Sequence, residues 1–351
     1  MTFELQSLVR PNIRSLKPYS SARSEFEGSA EVFLDANENA FGSPAGSGLN
    51  RYPDPLQREL KDRIAVLKGV APSRIFIGNG SDEAIDLLFR IFCEPGRDEA
   101  ITCPPTYGMY RVSADINDVA VREIRLTDDF QLDVPAIRSG ISDATKLIFI
   151  CSPNNPTGNL MSRSSILEIT RQFNGIVIVD EAYIDFSDEP SLIAEITFLP
   201  NLVVLQTFSK AWGMAGVRVG LAYASDEITG LMNRVKPPYN VSGLGQQAVR
   251  EALKNESRVK DWIDTARDER RRMEGTLGKL DWVQRVYASD ANFLLVKVYG
   301  ADAIYRYLIE EKIVVRNRNN VDLCEDCLRI TIGTPEENDR LIAALSLYRN
   351  N

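Results

Sequence analysis

The sequence predicts an α/β protein: a large domain whose mostly parallel sheet is covered by helices on both faces, followed by a smaller α+β domain. Three observations carry that reading. Short apolar runs alternate with helix-like stretches over most of the chain, several of those runs stop directly at polar residues, and near residue 242 the pattern changes. The runs lie at 75–77, 100–102, 121–124, 147–151, 176–179, 202–205 and 219–223, enough for a seven-stranded sheet. Asp180 ends one run, Ser152-Pro153-Asn154-Asn155 ends another, and Thr207-Phe208-Ser209-Lys210 closes a third. In open α/β sheets the ligand crevice lies beyond such carboxyl ends. The cluster Lys236-Pro237-Pro238-Tyr239-Asn240-Val241-Ser242-Gly243 is the natural boundary. Beyond it the sequence reads as one long charged helix through 277, strands at 282–287 and 293–298, a helix, strands at 313–316 and 327–332, and a final helix.

Composition excludes several kinds of function. The chain has 351 residues, 44% of them hydrophobic, and a formal charge of −8 with Lys and Arg dispersed, so there is no basic stripe to track a phosphate backbone. No segment approaches the roughly 18 apolar residues of a membrane span, and the first twenty residues carry no export-type apolar core, so a cytoplasmic protein without nucleic-acid or membrane partners is expected. Histidine is absent, which excludes Ser-His-Asp and Cys-His catalysis and His-ligated metals. Five cysteines are an odd number. Cys93, Cys103, Cys151 and Cys327 lie in apolar runs as small hydrophobes, and Cys324 with Cys327 forms a lone C-x-x-C that no second pair accompanies. The chemistry therefore falls to Lys, Tyr, Asp, Arg or a cofactor.

Gly78-Asn79-Gly80-Ser81-Asp82-Glu83 joins a strand to a helix, where free backbone N–H groups and the positive dipole end suit an anion. It is not the dinucleotide fingerprint, because Glu83 stands at the third glycine position, and an ordinary helix cap is the plain alternative. After Cys103-Pro104-Pro105-Thr106, Tyr107 is placed to stack on an aromatic cofactor or simply to pack in the core. The turn around Asn155 aims a side-chain amide into the crevice, although Pro/Asn/Gly turns are common. Asp180 can hold a ring nitrogen protonated, with Tyr183 one short turn on; it can equally cap a helix. Thr207, Ser209 and Arg218 suit a phosphate, and Lys210 in the same small-residue loop can form a Schiff base with an aldehyde. A surface loop is the alternative there.

Their joint order, from anion-binding turn through stacking tyrosine, Asn turn and acidic strand end to Ser-Lys and Arg, resembles the fold type I pyridoxal-phosphate aminotransferases of the aspartate-aminotransferase superfamily over nearly the whole chain. Within that superfamily Leu34-Asp35-Ala36-Asn37-Glu38-Asn39, Asn50-Arg51-Tyr52-Pro53-Asp54, Ser289-Asp290-Ala291-Asn292-Phe293 and Cys327-Leu328-Arg329-Ile330-Thr331-Ile332-Gly333-Thr334 are similar to the histidinol-phosphate aminotransferase family. Arg316, thirteen residues before Arg329, fits that family's second substrate arginine. Ala40 departs from the family's usual proline.

The resemblance implies a division into an N-terminal arm (1–30) that joins the small domain and the substrate mouth, a large cofactor-binding domain (31–241) and a small domain (242–351). It also implies pyridoxal 5′-phosphate as cofactor. Lys210 would tether it and carry the proton between substrate Cα and cofactor C4′, Asp180 would pair with the ring nitrogen, and Tyr183 and Asn155 would bond its phenolate oxygen. Tyr107 would stack on the ring, while Gly80, Ser81, Asp82, Thr207, Ser209 and Arg218 would surround its phosphate. Tyr52 would reach the phosphate of a neighbouring subunit, which implies a homodimer with shared sites. Arg329, Arg316, Tyr19 and Asn37 would read the substrate, a guanidinium fork serving carboxylate and phosphate alike. The implied reaction exchanges an amino group between histidinol phosphate and 2-oxoglutarate in histidine biosynthesis. An aromatic amino-acid aminotransferase or a phospho-amino-acid decarboxylase of the same fold would use the same machinery. A regulatory module is disfavoured because nothing basic or helix-turn-helix-like precedes residue 30, and a nicotinamide oxidoreductase because the fingerprint is missing.

Overall fold

The computed structural model describes residues 3–20, 23, 30–46 and 48–349. The apolar runs become β1 (Ile75–Gly78), β2 (Glu99–Thr102), β3 (Ala120–Glu123), β4 (Thr145–Cys151), β5 (Ile176–Asp180), β6 (Leu202–Thr207) and β7 (Gly220–Tyr223), joined in the order β1-β7-β6-β5-β4-β2-β3. Every neighbouring pair from β3 to β6 is parallel; β7 runs antiparallel between β6 and β1. The central strands read as unbroken apolar runs because helices cover both of their faces. Ile148, Ile150, Val177, Val179 and Val204 join one core cluster, while Leu147, Phe149, Ile176, Ile178 and Val203 join the other, as the two-residue strand period requires. The helix Ser81–Phe92 packs in the second cluster through Ile85, Leu88 and Phe92.

A second sheet, in the order β10-β11-β9-β8, is antiparallel throughout and is built from β8 (Val283–Val286), β9 (Phe293–Val298), β10 (Arg316–Asn317) and β11 (Cys327–Thr331). Leu294, Val296, Leu328 and Ile330 pack against Met273 and Leu277 of the helix Glu256–Leu277 and against Ile304 and Leu341 of the other two helices of this domain. The opposite face is apolar too: Phe293, Leu295 and Cys327 join a core cluster of the large sheet. Odd-numbered residues of β11 therefore face the large domain, and Arg329 is among them.

Three expectations need correction. The helix read from 242 to 277 is broken: Gly243–Ala252 ends in a 3₁₀ turn, Leu253–Asn255, before Glu256–Leu277 begins. Val249 and Val259, on either side of the break, both pack in the large-sheet core, and Met273 and Leu277, further along the second helix, pack in the small one. The strand expected at 313–316 is instead the two-residue β10, because only Arg316 and Asn317 find partners on β11. Finally, Leu5, Val9 and Ile13 of the arm pack into the core beside the helix Ser81–Phe92, and the Arg10 amide donates to the Ile91 carbonyl at 3.0 Å. This part of the arm sits on the large sheet rather than with the small domain; residues 21–22 and 24–29 lie outside the described residues. All five cysteines are buried and free, Cys324 included, and burial pushes the thiols of Cys324 and Cys327 up to about 12. Among the described residues no group of acidic or cysteine side chains is set to hold a metal, and no helix is long and apolar enough to cross a membrane.

Candidate active site

Strand directions bring the site together. Gly78, at the end of β1, pairs with Gly220 on β7, which in turn pairs with Thr207 at the end of β6. Asp180 ends β5 beside them and Cys151 ends β4. At this one edge a cleft is lined by Ser81, Asp82, Tyr107, Asn155, Asp180, Tyr183, Thr207, Ser209, Lys210 and Arg218.

Its first corner is built for an anion. Gly80, at φ 76°, is the N-cap of the helix Ser81–Phe92, and no side chain caps that end. Its amide donates to the Arg218 carbonyl at 2.9 Å, and Arg218 itself has φ 58°. Glycine is required at two places for different reasons, at Gly80 by its left-handed backbone and at Gly220 by the backbone packed against it. A Cβ on Gly80 would lie 2.6 Å from an Arg218 Nη, and one on Gly220 would lie 2.1 Å from the Ser81 amide nitrogen. Arg218 Nη1 donates to Ser209 Oγ at 3.4 Å, and Nη2 lies 3.7 Å from Asp82 Oδ2. The Thr207 hydroxyl accepts from the Ser209 amide at 3.1 Å. Uncapped N–H groups, two hydroxyls and a guanidinium are donors suited to a phosphate.

The second corner presents a buried acid. Asp180 accepts from the Tyr110 hydroxyl at 2.8 Å and from the Ala182 amide at 3.1 Å. Burial nevertheless pushes its pKa up to about 6, because two hydrogen bonds do not replace a cationic partner. A protonated ring nitrogen would supply that partner. Across the cleft, Lys210 Nζ is 5.5 Å from the centre of the Tyr183 ring. Burial first, and the Arg329 guanidinium second, hold the Lys210 ammonium below its ordinary pKa.

The third corner joins the two domains. Asn155 Nδ2 donates to the Tyr183 hydroxyl at 3.5 Å, and its Oδ1 accepts from Arg329 Nη1. Arg329 also lies over the Phe293 ring at 5.2 Å. The turn that presents Asn155 is fixed by Asn154, whose amide donates to the Pro105 carbonyl and to Thr157 Oγ1, both at 2.8 Å. Arg316 stands directly across β10 and β11 from Arg329. A flat ring with a phosphate, an aldehyde and a ring nitrogen fits these residues corner by corner.

Three expected residues stand apart from this cleft. Tyr52, 50% exposed, stacks on Tyr239 at 4.4 Å in a groove with Gln246 and Arg250. Tyr19, 76% exposed, lines another groove with Leu56, Arg234 and Pro237. Asn37 is exposed, with φ 54°. Tyr107 is in the cleft, where its hydroxyl donates to Asp82 at 3.2 Å and its ring meets Tyr110 edge-on. Sequence reading missed Tyr110, which sits in the first turn of the helix Met109–Ile116 just after Tyr107. It also missed Phe293 as a platform for Arg329, and it missed Arg318.

The comparisons agree with one another. The family model described as aminotransferase class I and II matches residues 24–345. A histidinol-phosphate aminotransferase of Parabacteroides distasonis is 55% identical over 342 residues, covering 97% of this chain and 98% of its own. The solved histidinol-phosphate aminotransferase of Clostridium acetobutylicum is similar at TM-score 0.78 and 26% identity over 85% of this chain and 90% of that one. That of Sinorhizobium meliloti, in complex with pyridoxal 5′-phosphate, shares the fold at TM-score 0.79 and 24% identity over 88% of each chain. A family model that spans both sheets, carried by residues that meet in one cleft, shows that the chain belongs to the class I and II aminotransferases.

Proposed function

We propose that this enzyme transfers the amino group of L-histidinol phosphate to 2-oxoglutarate, giving imidazole-acetol phosphate and L-glutamate, with pyridoxal 5′-phosphate held in the cleft around Lys210. The cofactor, when bound, supplies the electron sink that stabilises charge at the substrate Cα. The chain supplies the rest. Lys210, whose ammonium burial and Arg329 hold below its ordinary pKa, would carry the proton to and from Cα. Asp180 would keep the ring nitrogen charged, and that charge would in turn keep Asp180 ionised. Burial raises the Tyr183 pKa, so its hydroxyl stays protonated and donates, with Asn155, to the ring oxygen. The helix N-terminus at Ser81, with Ser209 and Arg218, takes the cofactor phosphate. Arg329 and Arg316 take the anionic end of either substrate. We further propose a cytoplasmic homodimer in which Tyr52 reaches the neighbouring subunit's cofactor phosphate, and in which Tyr19 and Asn37 border the substrate mouth.

One observation carries the substrate assignment: Arg316 and Arg329 sit in direct register on the face that meets Asn155, and among the described residues neither has an acidic ion-pair partner. Half-reactions recorded from the cofactor absorbance with histidinol phosphate, phenylalanine and glutamate test it. Rapid conversion by histidinol phosphate and glutamate is expected. Faster conversion by phenylalanine, or release of carbon dioxide from a phospho-amino acid, would point to the aromatic or decarboxylase alternative.

A further inference from the structure

We propose that Arg318 is a further anion-reading side chain of the cleft, one that discriminates a phosphate monoester from a carboxylate. The proposal rests on the histidinol-phosphate reading of the site. It starts from strand alternation. Asn317 and Asn319 both send their amide nitrogens to Asp302 on the helix Ala301–Glu310, at 2.5 and 3.2 Å. Side chains of an extended segment alternate, so Arg316 and Arg318 turn to the opposite face. That is the face shared with Arg329, since Arg316 pairs with Arg329 and the Arg318 amide continues the ladder by donating to the Cys327 carbonyl at 2.8 Å.

The electrostatics of this face are one-sided. The Nε atoms of Arg318 and Arg329 are both buried without an acceptor. Among the described residues Arg316, Arg318 and Arg329 have no carboxylate ion-pair partner, and the side-chain bond from Arg329 goes to neutral Asn155. Burial first, then Arg329 and Arg316, lower the Arg318 pKa, and Arg318 in turn acts on Tyr183 at the floor of the cleft. Buried guanidinium nitrogens without acceptors, here the Nε of Arg318 and of Arg329, are costly unless an anion completes them. A carboxylate offers two oxygens and one charge, which a single fork satisfies. A phosphate monoester offers three oxygens and about −1.5 to −2 charges at neutral pH, which leaves work for another guanidinium.

The test uses the cofactor-loaded enzyme and the variants Arg318→Gln and Arg318→Lys. Arg318→Gln is expected to lower kcat/KM for histidinol phosphate about ten- to hundredfold, mainly through KM, and to change the glutamate half-reaction less than about threefold. Inorganic phosphate, as a competitor of glutamate, should lose affinity by a similar factor, and its stabilisation of the loaded enzyme against heat should shrink. Arg318→Lys should recover part of each. Equal losses for both substrates, or phosphate inhibition unchanged in Arg318→Gln, would overturn the proposal. Should the wild type not turn over histidinol phosphate, the substrate reading fails, while phosphate competition against glutamate still decides the role of Arg318.

Discussion

Asp180 carries opposite consequences for stability and for catalysis. Its folded pKa of about 6 lies above the ordinary 3.8, so between those values the folded protein binds a proton more tightly than the unfolded chain. The ionised form therefore costs stability at all pH above about 6, and the cost fades as pH falls toward 4. In the cofactor-free protein Asp180→Asn should be more stable than wild type near neutral pH, by up to about 2–3 kcal/mol, with the gap closing by about pH 4 in urea melts. In the loaded enzyme the same change removes the partner of the ring nitrogen, and kcat should fall at least about a hundredfold at saturating cofactor. An unchanged kcat would remove Asp180 from the mechanism. The arginines divide differently. Arg316→Ala should cost about 1.5–3 kcal/mol in kcat/KM for histidinol phosphate and clearly less for glutamate, whereas Arg329→Ala should impair both half-reactions in stopped-flow traces. Most of these side chains were legible because each follows an apolar run directly, so strand ends marked the crevice. Arg318 was not, and the reason is geometric: a strand read as ending at 316 leaves 318 in a loop, whereas pairing through 316 and 317 extends the alternation to it. Tyr110 was hidden by its apolar surroundings, where a buried tyrosine reads as core until its hydroxyl is seen on Asp180.

At the scale of elements, the seven strands of the large sheet were readable because burial on both faces leaves continuous apolar runs, and no partner-dependent pairing is needed to see them. The break at Leu253–Asn255 was not readable, since neither proline nor glycine marks it. Val249 before the break and Val259 after it both reach the large-sheet core, a tertiary packing that no local residue type announces. The approach of β7 to the helix Ser81–Phe92 is tertiary as well, and it makes Gly220 a sharp probe. The added methyl in Gly220→Ala meets backbone at both Gly80 and Ser81, atoms that cannot swing aside. The helix start would have to move away from the sheet edge, taking the uncapped amides of the phosphate cradle with it. The expected result is a loss of about 1–3 kcal/mol in stability together with faster cofactor dissociation, read from thermal melts and from absorbance decay on dilution. Loss of stability with unchanged cofactor release would separate the packing from the cradle.

At the scale of the whole molecule, the exposed position of Tyr52 is the observation to explain. Its ring lies on Tyr239, and its amide donates at 2.6 Å to Glu38, a carboxylate that also binds Arg51 at 2.6 Å and Arg23 at 2.8 Å. So much structure spent on holding an exposed tyrosine outside its own cleft has a purpose if a second subunit's cofactor phosphate is what it meets. A symmetric dimer then makes each site depend on both chains: Lys210 from one and Tyr52 from the other. Mixing variants turns that dependence into a measurement. Lys210→Ala homodimers should bind cofactor without the tether and show no turnover, and Tyr52→Phe homodimers should lose activity at limiting cofactor. In a mixed dimer, the chain carrying Tyr52→Phe keeps its Lys210 and receives an intact Tyr52 from its partner, which restores one complete site, while the other site carries both defects. Equal mixing makes half of the dimers mixed, with one good site in two, so subunit exchange should bring activity at limiting cofactor to roughly a quarter of wild type. Sites contained within one subunit give no recovery beyond the sum of the separate variants, and that outcome would leave Tyr52 with a role confined to its own chain.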